Sequence, residues 1–186
     1  MGLAEDDIIE RAVEMSDKKA VLIIAKSIFR DEELFDTQAA LEDCGVVTTV
    51  ASSVVGSCTG KLGAVAESTV LIDDVSADDY DAVVFVGGGG AMEYYDSEVA
   101  LELARDTFNK GKVIAAICIG PRILANAGLL DGKTATCFES EGDAISGLGA
   151  NYTGCDVERD GMVVTANGPH ASKEFGETIA KVLGLS

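Results

Sequence analysis

At 186 residues the chain is long enough for one domain with a full core, burying roughly two-thirds of its unfolded surface, and 47% hydrophobic residues exclude wholesale disorder. Its charge is lopsided: 32 Asp plus Glu stand against 14 Lys plus Arg, a net −18. A surface that negative repels phosphate backbones and anionic lipid, so neither nucleic acid nor membrane is expected as a partner. No stretch approaches the roughly eighteen apolar residues of a membrane span, and the first residues are acidic where a signal peptide is basic. Five cysteines, an odd count without a CxxC pair, argue against a disulfide framework and for the cytoplasm. His170 is the only histidine and the thiols are scattered, so no zinc or other metal site is expected.

Residues 3–15 carry a short amphipathic helix pattern, and with the residues up to 18 they read as a helical extension before a single domain over 19–186. Ala20–Ala25 is a continuous apolar run, as in a strand buried on both faces. Asp31 to Cys44 reads as a helix stopped by Gly45, and Val46–Val50 as a second strand. Residues 52–72 have the glycines, serines and short β-type pieces of a hairpin excursion. The buried strand Asp81–Val86 runs into Gly87–Gly90, and a helix from about Ser97 to Lys110 follows. Val113–Ile117 is the most hydrophobic strand, followed by a helix from Pro121 to Ala127. A weaker strand near Thr134–Thr136 leads into a glycine-rich loop, Val157–Val164 reads as a hairpin turning at Asp160-Gly161, and Phe175, Ile179, Val182 and Leu183 stripe a last helix. Strands alternating with helices predict an α/β fold with a mostly parallel sheet covered on both faces.

In such sheets the site lies at the carboxyl ends of the strands, which singles out Gly87–Gly90 and Cys118-Ile-Gly-Pro121. Cys118 falls on a sharp strand-to-helix turn, the device that presents the serine of a nucleophile elbow. Amides at the helix start favour a thiolate, so a depressed Cys118 pKa is expected, and the same amides suit an oxyanion. A lone cysteine at a strand end also serves as a small buried hydrophobe, and four glycines also serve a tight turn. Two phosphate-loop patterns fail. A GxGxxG from Gly87 meets Met92 where glycine is required, and Gly56–Lys61 is one residue short of a P-loop.

Ala115-Ala-Ile-Cys-Ile-Gly-Pro-Arg and the following Ala127-Gly-Leu-Leu-Asp-Gly-Lys133 resemble the nucleophile segment of the ThiJ/PfpI superfamily. Thr59-Gly-Lys-Leu-Gly63 is similar to its Thr-Gly-Lys-x-Gly hairpin, Tyr80–Gly88 to its strand ending in Gly-Gly, and Val157–Gly161 with Gly168-Pro169 to its closing hairpin and site loop. These matches run in order from about residue 20 to 183.

The resemblance implies a three-layer sandwich of the flavodoxin-like, class I glutamine amidotransferase-like kind. It implies Cys118 as nucleophile, and Glu33, in Phe29-Arg-Asp-Glu-Glu-Leu34, as the acid sharing a proton with it. The amides of Gly88 and Ile119 are implied as the oxyanion donors, with Gly87 and Gly89 beside them. The family's chemistry implies a cofactor-independent hydrolase or lyase acting on small carbonyl compounds or their protein adducts, of glyoxalase or deglycase type, in a homo-oligomer. The alternative is a non-enzymatic oxidative-stress sensor or chaperone with an oxidisable Cys118. Peptidase-type members read Cys-His-Gly where this chain has Cys118-Ile119-Gly120, which counts against peptide hydrolysis. His170, after Gly168-Pro169, is the only histidine able to substitute, and its other reading is an exposed residue at the start of the last helix.

Overall fold

The computed structural model describes residues 16–186. The expected helix over 3–15, and with it most of the expected 1–18 extension, lies outside the described residues. The first apolar run forms β1, Lys19–Ile23, which lies between β3, Val47–Ser52, and β7, Ala82–Phe85, parallel to both. Parallel strands covered on both faces must be apolar on both sides, and β1 divides its side chains between two cores. Val21 and Ile23 pack with Val83, Phe85 and Ile114. Leu22 packs with Val84 and Ile117.

The sheet continues through β8, Val113–Ile117, and β12, Val163–Ala166, to β11, Val157–Asp160, the one antiparallel strand; β6, Val70–Leu71, closes the other edge. Helices α1, Asp31–Asp43, and α5, Ser172–Val182, cover one face through Leu34, Leu41, Phe175 and Ile179. Helices α2, Glu98–Asn109, and α3, Pro121–Asn126, cover the other through Leu101, Leu103, Ile123 and Leu124. The three-layer α/β sandwich expected above is therefore what forms. The close approach of α1 and α5 depends on Gly176, where a Cβ would lie 2.7 Å from Ala40 Cβ and 2.8 Å from the Thr37 carbonyl. Among the described residues no helix is long and apolar enough to cross a membrane.

The excursion over 52–72 is an antiparallel pair, β4, Gly56–Gly60, and β5, Val65–Ser68. It belongs to a second small sheet, because β2, Ser27–Phe29, pairs parallel with β4. The sequence pattern does not show β2: three residues carry no period. The glycine-rich loop after β9, Thr134–Ala135, contains helix α4, Gly142–Gly147, and β10, Asn151–Tyr152, which pairs with β9. In the last hairpin Asp160 still pairs, with Val163, so the turn falls on Gly161-Met162, one residue beyond the expected position.

Candidate active site

Three adjacent strands, β1, β7 and β8, end together, and the chain leaving each supplies one wall of the site. After β1, Ile28 takes a φ of 59° and is 52% exposed, a conformation that is uncommon for a β-branched side chain. The kink lays backbone 27–30 against the glycine run after β7. The Arg30 N–H donates to the Gly87 carbonyl at 3.0 Å. Gly88, at φ 94°, sits so close that a Cβ there would be 2.5 Å from the Ile28 carbonyl. Only glycine fits. A Cβ on Gly87 would meet the Glu33 carboxylate and lie 2.6 Å from Cys118 Cβ, so this glycine holds the two side chains together.

Cys118 follows β8 with a φ of 62°, a strained position of the kind that clusters at functional sites and costs about 1–3 kcal/mol. Neighbouring chain pins it there. Its N–H donates to the Ala166 carbonyl at 2.9 Å, and its carbonyl accepts from the Phe138 N–H at 2.7 Å. The residue is 9% exposed, and the Gly88 and Ile119 amides are directed at its sulfur. Glu33, in the first turn of α1, is fully buried and neither carboxylate oxygen makes an aligned hydrogen bond. The Cys118 thiol and the Gly87 amide face it.

Burial is the leading cause of both shifts in this pair. Glu33 is pushed up to about 7, against the smaller opposing pull of the thiol, the Gly87 amide and Arg30. Cys118 is pushed up to about 12 by burial and by the neighbouring Glu33 charge, against the two amides. The depressed thiol pKa expected from the turn is thus corrected. Helix α3 is only six residues long, and its terminus is outweighed by loss of water and a carboxylate within reach. The two groups titrate as a unit. Between its two steps the pair carries one negative charge and one proton, held as carboxylic acid with thiolate or as carboxylate with thiol.

A cavity of about 280 Å³ opens over Cys118, with Arg30, Lys61, Met92, Ile119 and Phe138 in its walls. Gly89 lines it too; Gly87 stands behind, under the Glu33–Cys118 contact. His170 is not brought into it. Its imidazole is 63% exposed, lies 3.0 Å from Asp156 Oδ1 and faces a neighbouring cavity of about 410 Å³. Phe138 and Pro169 line both cavities. The direct route from Pro169 places His170 on the far side of that wall, so a catalytic part at Cys118 does not follow for it. Among the described residues no group of three His, Cys, Asp or Glu side chains is placed to hold a metal.

Sequence reasoning missed Lys61, Phe138 and Glu141. Lys61 appeared only within a failed phosphate loop and a hairpin motif, and nothing local says that the tip of a hairpin folds back over the glycine run. Glu141 reaches the cavity wall paired with Arg122 at 3.3 Å, and the Arg122 guanidinium stacks 5.6 Å over the Tyr95 ring.

The DJ-1/PfpI family model matches residues 18–182. The chain belongs to the DJ-1/PfpI family. Among its relatives, an uncharacterised protein of Methanocaldococcus jannaschii is 40% identical over 94% of this chain and 86% of that protein. The protein named deglycase PfpI of Pyrococcus furiosus is 33% identical over 80% of this chain and 90% of its own. The crystal structure of a ThiJ/PfpI domain protein from Brachyspira murdochii superposes with a TM-score of 0.87 at 34% identity, covering 89% of this chain and 96% of that one. Membership accounts for the fold and for the order of the motifs, from the hairpin to the cysteine turn.

Proposed function

We propose that this DJ-1/PfpI protein is a cofactor-independent enzyme that uses Cys118 as nucleophile on small carbonyl compounds or their protein adducts, with glyoxalase- or deglycase-type chemistry. One observation carries the reading. A strained, amide-facing Cys118 lies against the fully buried carboxyl of Glu33, which makes no hydrogen bond to another side chain. In the form with Glu33 protonated, the thiolate adds to a carbonyl carbon and the carbonyl oxygen becomes an oxyanion near the Gly88 and Ile119 amides. Glu33 supplies the proton that quenches the oxyanion and later takes one back as water attacks or a proton shifts to complete turnover. Several archaeal relatives carry the name deglycase, which supports the same class. With His170 turned to Asp156, no imidazole is in reach to protonate an amine leaving group, so peptide hydrolysis is not part of the proposal.

The test is methylglyoxal turnover by wild type and Cys118→Ser: Cys118-dependent turnover is expected. Its absence, together with sulfinate on Cys118 after mild peroxide, overturns the enzyme reading in favour of a redox sensor. That second reading has its own support, since the two amides and a protonated Glu33 suit a sulfinate as well as an oxyanion. We further propose a homo-oligomer in the cytoplasm, in keeping with five free thiols.

A further inference from the structure

Among the described residues, the wall of the Cys118 cavity holds one cation outside an ion pair, beside the single negative charge carried by Glu33 and Cys118. Arg30 is engaged by Glu32 at 2.8 Å and Glu141 by Arg122 at 3.3 Å. Lys61 also lines the cavity, and among the described residues no carboxylate forms an ion pair with its ammonium. Its position is built rather than incidental. The Lys61 N–H donates to the Phe29 carbonyl at 2.8 Å, and the Asp31 carboxylate accepts from the amides of Leu62 and Ala64 at 2.9 Å each. The tip of the β4–β5 hairpin is thereby clamped to the start of α1, two residues before Glu33. On a chain with net charge −18, a lysine without an ion-pair partner among the described residues, on a hairpin tip pinned beside the cavity, is a local attraction for anions in a repelling field.

Met92, Ile119, Phe138 and Pro169 form the apolar part of the wall, beside Ser140. Met92 is 62% and Phe138 46% exposed, and both face the opening beside Ile119. Water-exposed apolar groups of that size, gathered in a concavity of about 280 Å³, suit a ring or branched chain.

We propose that this cavity selects carbonyl compounds bearing both an apolar body and a carboxylate, aromatic 2-oxo acids being the simplest class, with Lys61 receiving the carboxylate and Phe138 and Met92 the ring. The inference rests on Cys118 as the nucleophile. Cys118 Sγ bonds to the keto carbon, the π pair of the carbonyl moves to its oxygen, and that oxygen takes the proton held by the thiol–Glu33 pair. The product is a hemithioketal. All atoms of thiol and ketone are retained, nothing is oxidised or reduced, and the addition reverses.

The experiment follows iodoacetamide alkylation of Cys118, resolved from the other cysteines by peptide mass, in the presence of phenylglyoxylate, its neutral methyl ester, or pyruvate. Phenylglyoxylate is expected to half-protect at a concentration about tenfold below either comparator, the scale of one charge-assisted contact. Lys61→Gln should bring it to the level of the ester, Lys61→Arg should retain the preference, and Phe138→Ala should bring it to the level of pyruvate. Lys110→Gln, a surface lysine held by Asp78, should behave as wild type. Equal protection by acid and ester in wild type, or a preference that survives Lys61→Gln, overturns the proposal. Protection by phenylglyoxylate without any methylglyoxal turnover sinks the enzyme reading alone, and turnover without acid preference sinks the anion selection alone.

Discussion

Glu33 spends stability to stay where it is. Its carboxyl ionises near 4.5 when free of the fold and near 7 inside it, so between those values the folded state binds more protons than the unfolded one. The Glu33 contribution to stability therefore falls as pH rises across that window, by roughly 3 kcal/mol, and levels off above it. Glu33→Gln removes the ionisation while keeping the shape. Urea unfolding at pH 5 and pH 8 should show the variant gaining on wild type by roughly 2–3 kcal/mol at the higher pH. A wild-type-minus-variant difference that does not change with pH would mean that Glu33 is not buried as an acid. The functional side of the same proton is that Glu33→Gln can donate to an oxyanion but cannot take a proton back. At this scale the sequence was informative about Cys118, whose turn is local, and about Glu33 only through family resemblance, since a glutamate in a first helical turn looks like any solvated one. The sign of the Cys118 shift was illegible because the burial and the carboxyl come from elements distant in the chain, Glu33 from helix α1. Which of the two readings of His170 holds, the substitute at the site or the exposed residue, was illegible for the same reason, and the exposed one is what the fold presents. Its partner Asp156 lies before β11, and chain order alone does not show which side of Pro169 the imidazole takes.

Elements with a period were legible and those without one were not. β1, β7 and β8 are uninterrupted apolar runs, and α5 carries a stripe, so the layers and the site's strand ends followed directly. β2, β9 and β10 have two or three residues each and exist because a partner strand is already in place. Yet the small sheet holding β2 and the β4–β5 hairpin carries Lys61 to the cavity, and one side chain adds to the backbone bonds that hold its tip. Asp31, a residue only 7% exposed, satisfies two hairpin amides with its carboxylate. Asp31→Ala leaves both amides without an acceptor, a loss of about 2 kcal/mol. Most of that falls on the hairpin. Hydrogen exchange should speed at Leu62 and Ala64 by at least about tenfold while the amides of β1 stay protected. Uniform loss of protection in both places would show the latch to be part of the global core, and no change at either amide would show that Asp31 does not hold the tip.

Over the whole molecule, the acidic surface acts on the same thiol from a distance. A net charge of −18 sets up a negative potential that disfavours adding one more negative charge at Cys118. Arg30 and Lys61 oppose it locally, within the cavity wall. Salt separates the two contributions. Charges spread over the surface act through water, where the screening length is about 10 Å at 0.1 M and 3 Å at 1 M, whereas contacts at the cavity wall are partly shielded from ions by the protein itself. Raising salt should therefore remove more of the repulsion than of the attraction and favour the thiolate. Iodoacetamide is neutral, so its encounter with Cys118 carries no salt dependence of its own. The alkylation rate of Cys118 at pH 8 should rise about two- to fivefold between 0.05 and 1 M sodium chloride. A rate that falls over that range would mean that Arg30 and Lys61, not the acidic coat, dominate the field at the sulfur. A flat rate would place the thiol beyond the reach of the surface charge.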